Sequence, residues 1–471
     1  MRRFQEHTRC TGRALIFFLV GGGSLFAQFE TRGTFVAQPI PYSIAVGDFN
    51  RDGILDLAVA SACCPSGAIV IFLGRGDGTF SLTSTYTAGV SPVSVASADL
   101  NHDGKLDLAA ASQSGYISIL LGNGDGTFQP ATQSPPVPPL EQYVSVGDFN
   151  GDGKLDLLAR ASSVISVMLG NGDGTFQNAI TTAPSFDIGT IGVGDFNRDG
   201  KLDLATSGTF GSASSVDILL GNGDGTFHDG ASYVGSNLPQ SIAVADFNGD
   251  HNLDLAIANF EGGSVSVLMG NGDGTFQAAV NYQIPFPDWV TVADMNGDGK
   301  LDLVAANFEF SPGVYIFSGN GDGTFQPPQF YMVGTQLNYV ATGDFNGDRK
   351  TDFVVADYRY NNVIVVLNTG TVAFSPTTPL NFERQAVGTT SPPLQVTLTN
   401  SGTTALKIST MEATGTFAMT STCHPSIAPR ASCTISATFS PTSQGKKFGK
   451  VTIIDSASSK PQVIELTGEG K

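Results

Sequence analysis

Nine residues recur seven times along this chain. The pattern Asp-x-Asn-x-Asp-x-x-x-Asp begins at residues 48, 99, 148, 195, 246, 294 and 344, so successive copies lie 51, 49, 47, 51, 48 and 50 residues apart. A chain of 471 residues ordinarily divides into about three domains. An even period near 50 cuts across that division, because such a repeat is one supersecondary unit that buries its apolar faces only against its neighbours. In the third copy an alternating run "YVSVGDF" (143 to 149) precedes the Asp loop. "LDLLARA" (155 to 161), "VISVMLG" (164 to 170), the turn "NGDG" (171 to 174) and "TFQNAI" (175 to 180) follow. These are four strand-like segments bounded by Gly, Asn and Asp. Seven such repeats without helical periodicity predict an all-β chain built on a seven-bladed β-propeller.

The ends of the repeat array suggest how a ring would close. An orphan "RGTF" (32 to 35) matches the "DGTF" that opens the fourth strand elsewhere, while the seventh copy fades after "VIVVLNTG" (363 to 370). The N-terminal strand is therefore expected to complete the last blade and remove two open edges. "TVAF" (371 to 374) is the competing local source of that strand. After Phe374 the chain becomes rich in Thr, Ser and Pro, with 8 basic and 5 acidic residues in 375 to 471 against 12 and 36 in 28 to 374. Strand patterns "LQVTLTN" (394 to 400), "CTISATF" (433 to 439) and "KVTIIDS" (450 to 456) read as an Ig-like β-sandwich. The expected division is a signal peptide at 1–27, the propeller at 28–374 and the sandwich at 375–471.

Export is read from the first residues. Arg2, Arg3, Arg9 and Arg13 precede the apolar run "ALIFFLVGGGSLFA" (14 to 27), long enough for a signal-peptide core and too short to span a bilayer. The expected product is secreted, extracellular and without a transmembrane anchor. Losing 1–27 removes four Arg and Glu6, so the formal charge moves from −18 to −21. A chain this acidic is not a nucleic-acid binder. Cys423 and Cys433 stand ten apart and can pair in an oxidising compartment. Cys63 and Cys64 are adjacent and form either a vicinal disulfide or two free thiols.

The repeated loop carries the chemistry. Carboxylate or amide oxygens at its first, third, fifth and ninth positions and a backbone carbonyl at the seventh are the donors a hard cation takes. The sets are Asp48, Asn50, Asp52, Ile54 and Asp56; Asp99, Asn101, Asp103, Lys105 and Asp107; Asp148, Asn150, Asp152, Lys154 and Asp156; and Asp195, Asn197, Asp199, Lys201 and Asp203. The remaining three are Asp246, Asn248, Asp250, Asn252 and Asp254; Asp294, Asn296, Asp298, Lys300 and Asp302; and Asp344, Asn346, Asp348, Lys350 and Asp352. An EF-hand loop begins in the same way but needs a carboxylate at its twelfth position, which counted from Asp148 is Ala159. Asp156, at the ninth, closes the loop early because the chain leaves as a strand. Glycine at the sixth position supplies the tight turn in five copies, as Gly53, Gly104, Gly153, Gly200 and Gly299. His251 and Arg349 stand there in the other two, which are expected to be distorted or weakened by roughly 1 kcal/mol. The loops hold 21 aspartates that repel one another when bare, and up to seven Ca²⁺ of structural rather than catalytic use would bring the exported chain from −21 to −7.

These "D.N.DG.LD" loops, the "LLGNGDGTF" turns and the period resemble the FG-GAP-like or VCBS repeats of bacterial secreted proteins, related to the calcium-binding blades of integrin α-subunits. The likeness covers 33 to 370 and implies calcium in the loops and ligands at the opposite face. Integrin loops usually carry Asp where this chain has Asn50 and its equivalents, which lowers each site's charge. Residues 375 to 471 resemble the Hydin-type Ig-like module through "LNFERQAVGTTS", "VTLTNSGT", "ASCTISATFSP" and "LTGEG". That resemblance implies a Cys423–Cys433 disulfide.

Antiparallel strand order puts the Asp loops and the "GNGDG" turns on one uniform face. The other connections emerge opposite: "SACCPSG" (61 to 67), "QSPPVPPLEQ" (133 to 142), "NFEGG" (259 to 263), "IPFPDW" (284 to 289), "NFEFSPG" (307 to 313) and "DYRYNN" (357 to 362). Variable loops on a rigid ring suit recognition, and Trp289, Phe260, Phe308, Tyr358 and Tyr360 either form aromatic platforms there or pack the loop bases. Arg75, Gly76 and Asp77 spell an adhesion tripeptide but merely restate the "GNGDG" turn. The leading expectation is a calcium-stabilised module that recognises a glycan or an extracellular or surface protein. The alternative is a secreted hydrolase or lyase acting on polysaccharide; a rigid spacer is a third reading. Five scattered histidines, His7, His102, His228, His251 and His424, and a single Trp offer no catalytic set, so no enzyme activity is expected.

Overall fold

The computed structural model describes residues 29–62, 67–137, 143–161, 164–186, 188–210, 213–234, 238–308, 312–368, 372–375, 380–400, 405–428, 431–456 and 461–471. The expected export segment and Cys63 and Cys64 lie outside them. Among the described residues there are seven four-stranded antiparallel sheets, each the blade of a propeller, followed by a C-terminal β domain. Blade 1 runs Pro41–Gly47, Asp56–Ser61, Ala68–Gly74 and Phe80–Thr87 in consecutive order, and blades 2 to 6 repeat that order.

The core explains why the second and third strands read as unbroken apolar runs. Residues of Asp56–Ser61 are buried on both sides of the sheet. Leu57 and Val59 pack with Phe345 and Val354 of blade 7, while Ala58 and Ala60 pack with Val95 and Leu108 of blade 2. The propeller therefore has no central core. It has seven apolar clusters, each shared by two adjacent blades. The fourth strands lie outermost and alternate buried with exposed, as in Phe80–Thr87.

Closure follows the expected route with one correction of register. Phe29–Val36 pairs antiparallel with Asn362–Asn368 and completes blade 7. Val372–Ser375, the competing segment, instead pairs with Leu394–Asn400 of the C-terminal domain. Val372–Ser375 is thus a strand of the C-terminal sheet rather than of blade 7. The "RGTF" match, however, is six residues out. Phe29 opposes Asn368 as Phe80 opposes Gly74, so Phe29 fills the slot of the "GTF" phenylalanine. Phe35 fills the slot of Tyr86, packing edge-on to Phe80 at 5.6 Å as Tyr86 packs on Phe128 at 5.8 Å. The motif match failed because no hairpin joins this strand to Asn362–Asn368, with which it pairs, so the register follows burial rather than a turn.

The fourth strand of blade 3 also differs from the reading, pairing over Ile180–Thr182 rather than 175–180. Phe176 is buried and bridged to Gly170, so the chain first anchors and only later pairs. The C-terminal domain stacks a four-stranded sheet with a five-stranded one over Phe382, Phe417 and Phe439. Cys423 and Cys433 are disulfide-bonded within that core, with Cα atoms 5.1 Å apart. No helix among the described residues is long and apolar enough to cross a membrane.

The register correction predicts that Phe29→Ala costs about 3 kcal/mol in urea unfolding. Thr34→Ala, at an exposed position of the same strand, is expected to stay within about 0.5 kcal/mol.

Candidate functional site

Each Asp loop is a cage of its own amides. In loop 1 Asp48 accepts the Asp52 and Gly53 amides at 3.1 and 2.9 Å, Asn50 Oδ1 accepts the Asp52 amide at 3.0 Å, and Asp52 Oδ1 accepts that of Ile54 at 2.8 Å. The sixth residue donates to the first aspartate in every copy, between 2.7 and 2.9 Å. That donor needs positive φ, and glycine supplies it at Gly53 with φ 83°. His251 and Arg349 adopt φ 68° and 65° and donate at 2.8 and 2.7 Å, so those loops pay backbone strain without the expected distortion. A second left-handed position, the fourth, was missed in the sequence; it holds Arg51, His102, Arg198 and four glycines. Its signal was a position that is Gly in every loop whose sixth residue is not.

The ninth-position aspartate does the joining. Asp56, Asp107, Asp156, Asp203, Asp254, Asp302 and Asp352 are each 0 % exposed. One oxygen accepts the amide of the loop's second residue and the other accepts an amide at the end of the third strand, all between 2.7 and 2.9 Å. Burial pushes these carboxyls up, to about 6 at Asp56 and Asp254 and about 7 at Asp302 and Asp352. The two amides oppose that rise, and the first and fifth aspartates of the same loop add to it by repulsion.

The donor set fits a hard divalent cation in kind. Every side-chain donor is an oxygen, and Asp56 spends one amide contact per carboxylate oxygen, leaving lone pairs on both. The mutual repulsion of Asp48, Asp52 and Asp56 is what one divalent charge would relieve. Among the described residues no three His, Cys, Asp or Glu side chains are gathered as a formed metal cluster, because each loop's carboxylates are turned onto its own amides.

Comparison with known families decides what these loops are. The FG-GAP-like repeat model matches six times, at 48–110, 99–159, 148–206, 208–257, 246–305 and 294–355. The chain belongs to the FG-GAP-like repeat family. Residues 370–463 match the "Abnormal spindle-like microcephaly-assoc'd, ASPM-SPD-2-Hydin" model, which makes the second domain Ig-like. No curated protein matches the chain. Among solved structures, BBS1N in complex with ARL6DN is 14 % identical with TM-score 0.52, covering 72 % of this chain and 97 % of that one. The WD40 domain of Toxoplasma gondii coronin is 10 % identical with TM-score 0.51, covering 72 % and 86 %. An Agrocybe aegerita lectin recognising non-reducing terminal N-acetylglucosamine is 20 % identical with TM-score 0.44, covering 68 % and 86 %.

The other face of this FG-GAP-like propeller is built differently. Phe286, Phe260, Phe308, Tyr358 and Tyr42 form a row from blade 5 through blade 7 to blade 1, with successive ring centroids 5.5, 6.3, 5.9 and 5.8 Å apart. Phe260 is buried at the base of that row and the other four are half-buried. Tyr360 is 58 % exposed, with the Arg359 guanidinium 6.0 Å from its ring. Trp289 departs from the expected platform. It sits in the first strand of blade 6 and packs on Tyr339 at 4.3 Å, near the ring axis. Burial pushes the Tyr339 hydroxyl up to about 12, opposed by a hydrogen bond with Ser43 and helped by Tyr143 across the ring. Arg75 and Asp77 are engaged by Ser81 and Arg32, as turn residues are. Residues 63–66, 138–142 and 309–311 of the variable loops lie outside the described residues.

The geometry separates two roles for aspartate. Asp302→Ala strips the acceptor from two buried amides and is expected to cost roughly 2–5 kcal/mol with or without chelator. Asp298→Ala, on the exposed rim, should lower stability only when calcium is present; thermal melts with and without chelator measure both.

Proposed function

We propose that this chain is a secreted FG-GAP-like propeller whose Asp loops bind calcium for structural purposes and whose opposite face recognises a glycan. The observation that carries the recognition is the aromatic row, which among the described residues runs over blades 5, 6, 7 and 1. The calcium face repeats in every blade, as scaffolding does, whereas the aromatic row marks one sector of the ring. A sugar ring offers an apolar C–H face and a rim of hydroxyls. Half-buried rings interleaved with Glu261, Arg359 and Asn361 suit both parts.

In the loops Asp48, Asn50, Asp52 and Asp56, and their equivalents, would hold the ion, and a bound calcium supplies positive charge to an acidic turn. The chain's own residues do the rest: the amides fix the loop shape, and the ninth aspartate anchors it to the third strand. Stabilisation by calcium follows mass action, about 2.7 kcal/mol per site when the free ion is ~100 times its dissociation constant.

A glycan and matrix-protein array probed with the exported chain, with and without chelator, tests the recognition reading. Binding to a glycan is expected, weakened about tenfold by Tyr358→Ala with the melting temperature retained. Silence of the array under both conditions would sink it, as would glycan binding indifferent to Tyr358→Ala and Phe308→Ala together.

A further inference from the structure

The loops share a fold but not a charge balance, and the difference lies in their seventh residue. Lys105 Nζ lies 3.0 Å from Asp103 Oδ2, Lys350 Nζ 3.4 Å from Asp348, Lys201 Nζ 3.8 Å from Asp199 and Lys154 Nζ 3.9 Å from Asp152. In each case the lysine meets the fifth-position aspartate of its own loop, whose other oxygen already accepts the lysine's backbone amide. Loop 1 has Ile54 at this position, loop 5 has Asn252, and loop 6 has Lys300, which lies over Gly321 outside ion-pair distance of Asp298.

The position is built rather than loose. A Cβ placed on the turn glycine of the same blade would lie 2.9 Å from Lys105 at Gly124, 3.3 Å from Lys154 at Gly172 and 3.0 Å from Lys201 at Gly223. The seventh side chain thus lies along the "GNGDG" turn, and the glycine makes room for it. Ile54 packs over Gly76 and Asn252 over Gly272 in the same way, so the site holds any side chain and the lysine adds a charge. Docking the stem removes part of the entropy that usually weakens an exposed ion pair.

We propose that Lys105, Lys154, Lys201 and Lys350 are built-in counter-ions: they hold their loops in shape without metal and lower those loops' affinity for calcium relative to loops 1 and 5. The inference rests on the calcium reading above. An ammonium fixed beside a ligand carboxylate lowers the repulsion that an empty loop suffers, and it repels the incoming dication. The two effects have opposite signs, so one lysine should make the metal-free chain more stable and the metal weaker.

The test is calorimetric calcium titration of the full exported chain, paired with melting in chelator. The triple variant K105I/K154I/K201I is expected to tighten three sites about tenfold, which is about 1.4 kcal/mol per site, and to melt below wild type in chelator. Ile54→Lys is expected to do the reverse, losing one tight site and raising the melting temperature in chelator. Isoleucine already packs over Gly76, and Lys→Met variants that keep the stem serve if the isoleucine variants do not fold. Unchanged site classes in the triple variant would make the lysines mere packing, and weaker calcium binding would make them ligand-orienting; either overturns the proposal. Absence of calcium uptake by wild type would instead sink the calcium reading, leaving the chelator melts to judge the counter-ions alone.

Discussion

A carboxylate shut away from water holds each blade together. Asp56 and its six equivalents take one amide from the loop joining strands one and two and another from the end of strand three. An acceptor-only side chain is needed, because asparagine would turn an NH₂ toward one of those amides. The contact draws the third strand so close that a Cβ at its last residue would lie 2.4 Å from the Leu55 carbonyl at Gly74 and 2.1 Å from that of Leu155 at Gly170. Glycine is therefore fixed there by approach rather than by turn geometry. Blade 7 has Asn368 instead, whose Nδ2 donates to the Thr351 carbonyl at 3.1 Å and to the Met295 carbonyl of blade 6 at 2.7 Å. Among the described residues it is the one blade whose outer strand comes from the N-terminal side of its other three.

Once that contact is fixed, one face of the ring has little freedom to vary. In loops 1, 3, 4 and 7 the second residue gives its amide to the aspartate, its carbonyl to the next blade's turn and its side chain to the blade interface. Phe49 shows all three: its carbonyl accepts Gly126 at 3.0 Å, and its ring meets Phe128 at 5.6 Å. Phe345 accepts Gly78 in the same manner and carries the pattern across the closure from blade 7 to blade 1. On the opposite face the described loops share one backbone bond within each of five blades, Ala62 to Ile40, Gln113 to Val90, Phe260 to Leu238, Phe308 to Phe286 and Tyr358 to Gln336, and vary around it, as where Asp357 accepts from Thr335 and Gln336.

Period and alternation made most of this architecture legible. Seven spaced Asp loops predicted the blades, and unbroken apolar runs such as "LAVA" (57 to 60) marked strands covered on both faces. What the pattern could not carry was register and depth. Phe29 and Phe35 are both aromatic in one strand, and only the pairing with Asn368, and the bulge between Thr31 and Gly33 that turns Phe29 toward blade 6 and Phe35 toward blade 1, tell which fills which slot. Trp289 looked like a loop residue because "IPFPDW" is rich in proline, yet Pro287 already begins the strand. Spacing marks the ninth aspartate as a candidate ligand but not as an anchor, because its amide partners lie seven residues back and up to 18 residues on, and the farther one is beyond what a local motif encodes. The left-handed fourth position escaped notice for a simpler reason: Arg51, His102 and Arg198 mask a glycine preference that only the other four loops display.

The amide cage and the acid load pull in different directions, and that tension gives the loop chemistry its meaning. Backbone amides orient the carboxylates but carry only partial charge, so three aspartates in one loop still repel. The ninth is the most affected, since burial removes the water that would screen it. Any positive charge arriving at the rim therefore acts on a buried anchor. Through the second residue that anchor is tied to the neighbouring blade, so relief in one loop reaches an interface and not merely a turn. On the calcium reading proposed above, ion and lysine are two answers to one electrostatic problem, and a chain that mixed them around its ring would distribute its dependence on the ion unevenly among otherwise similar blades.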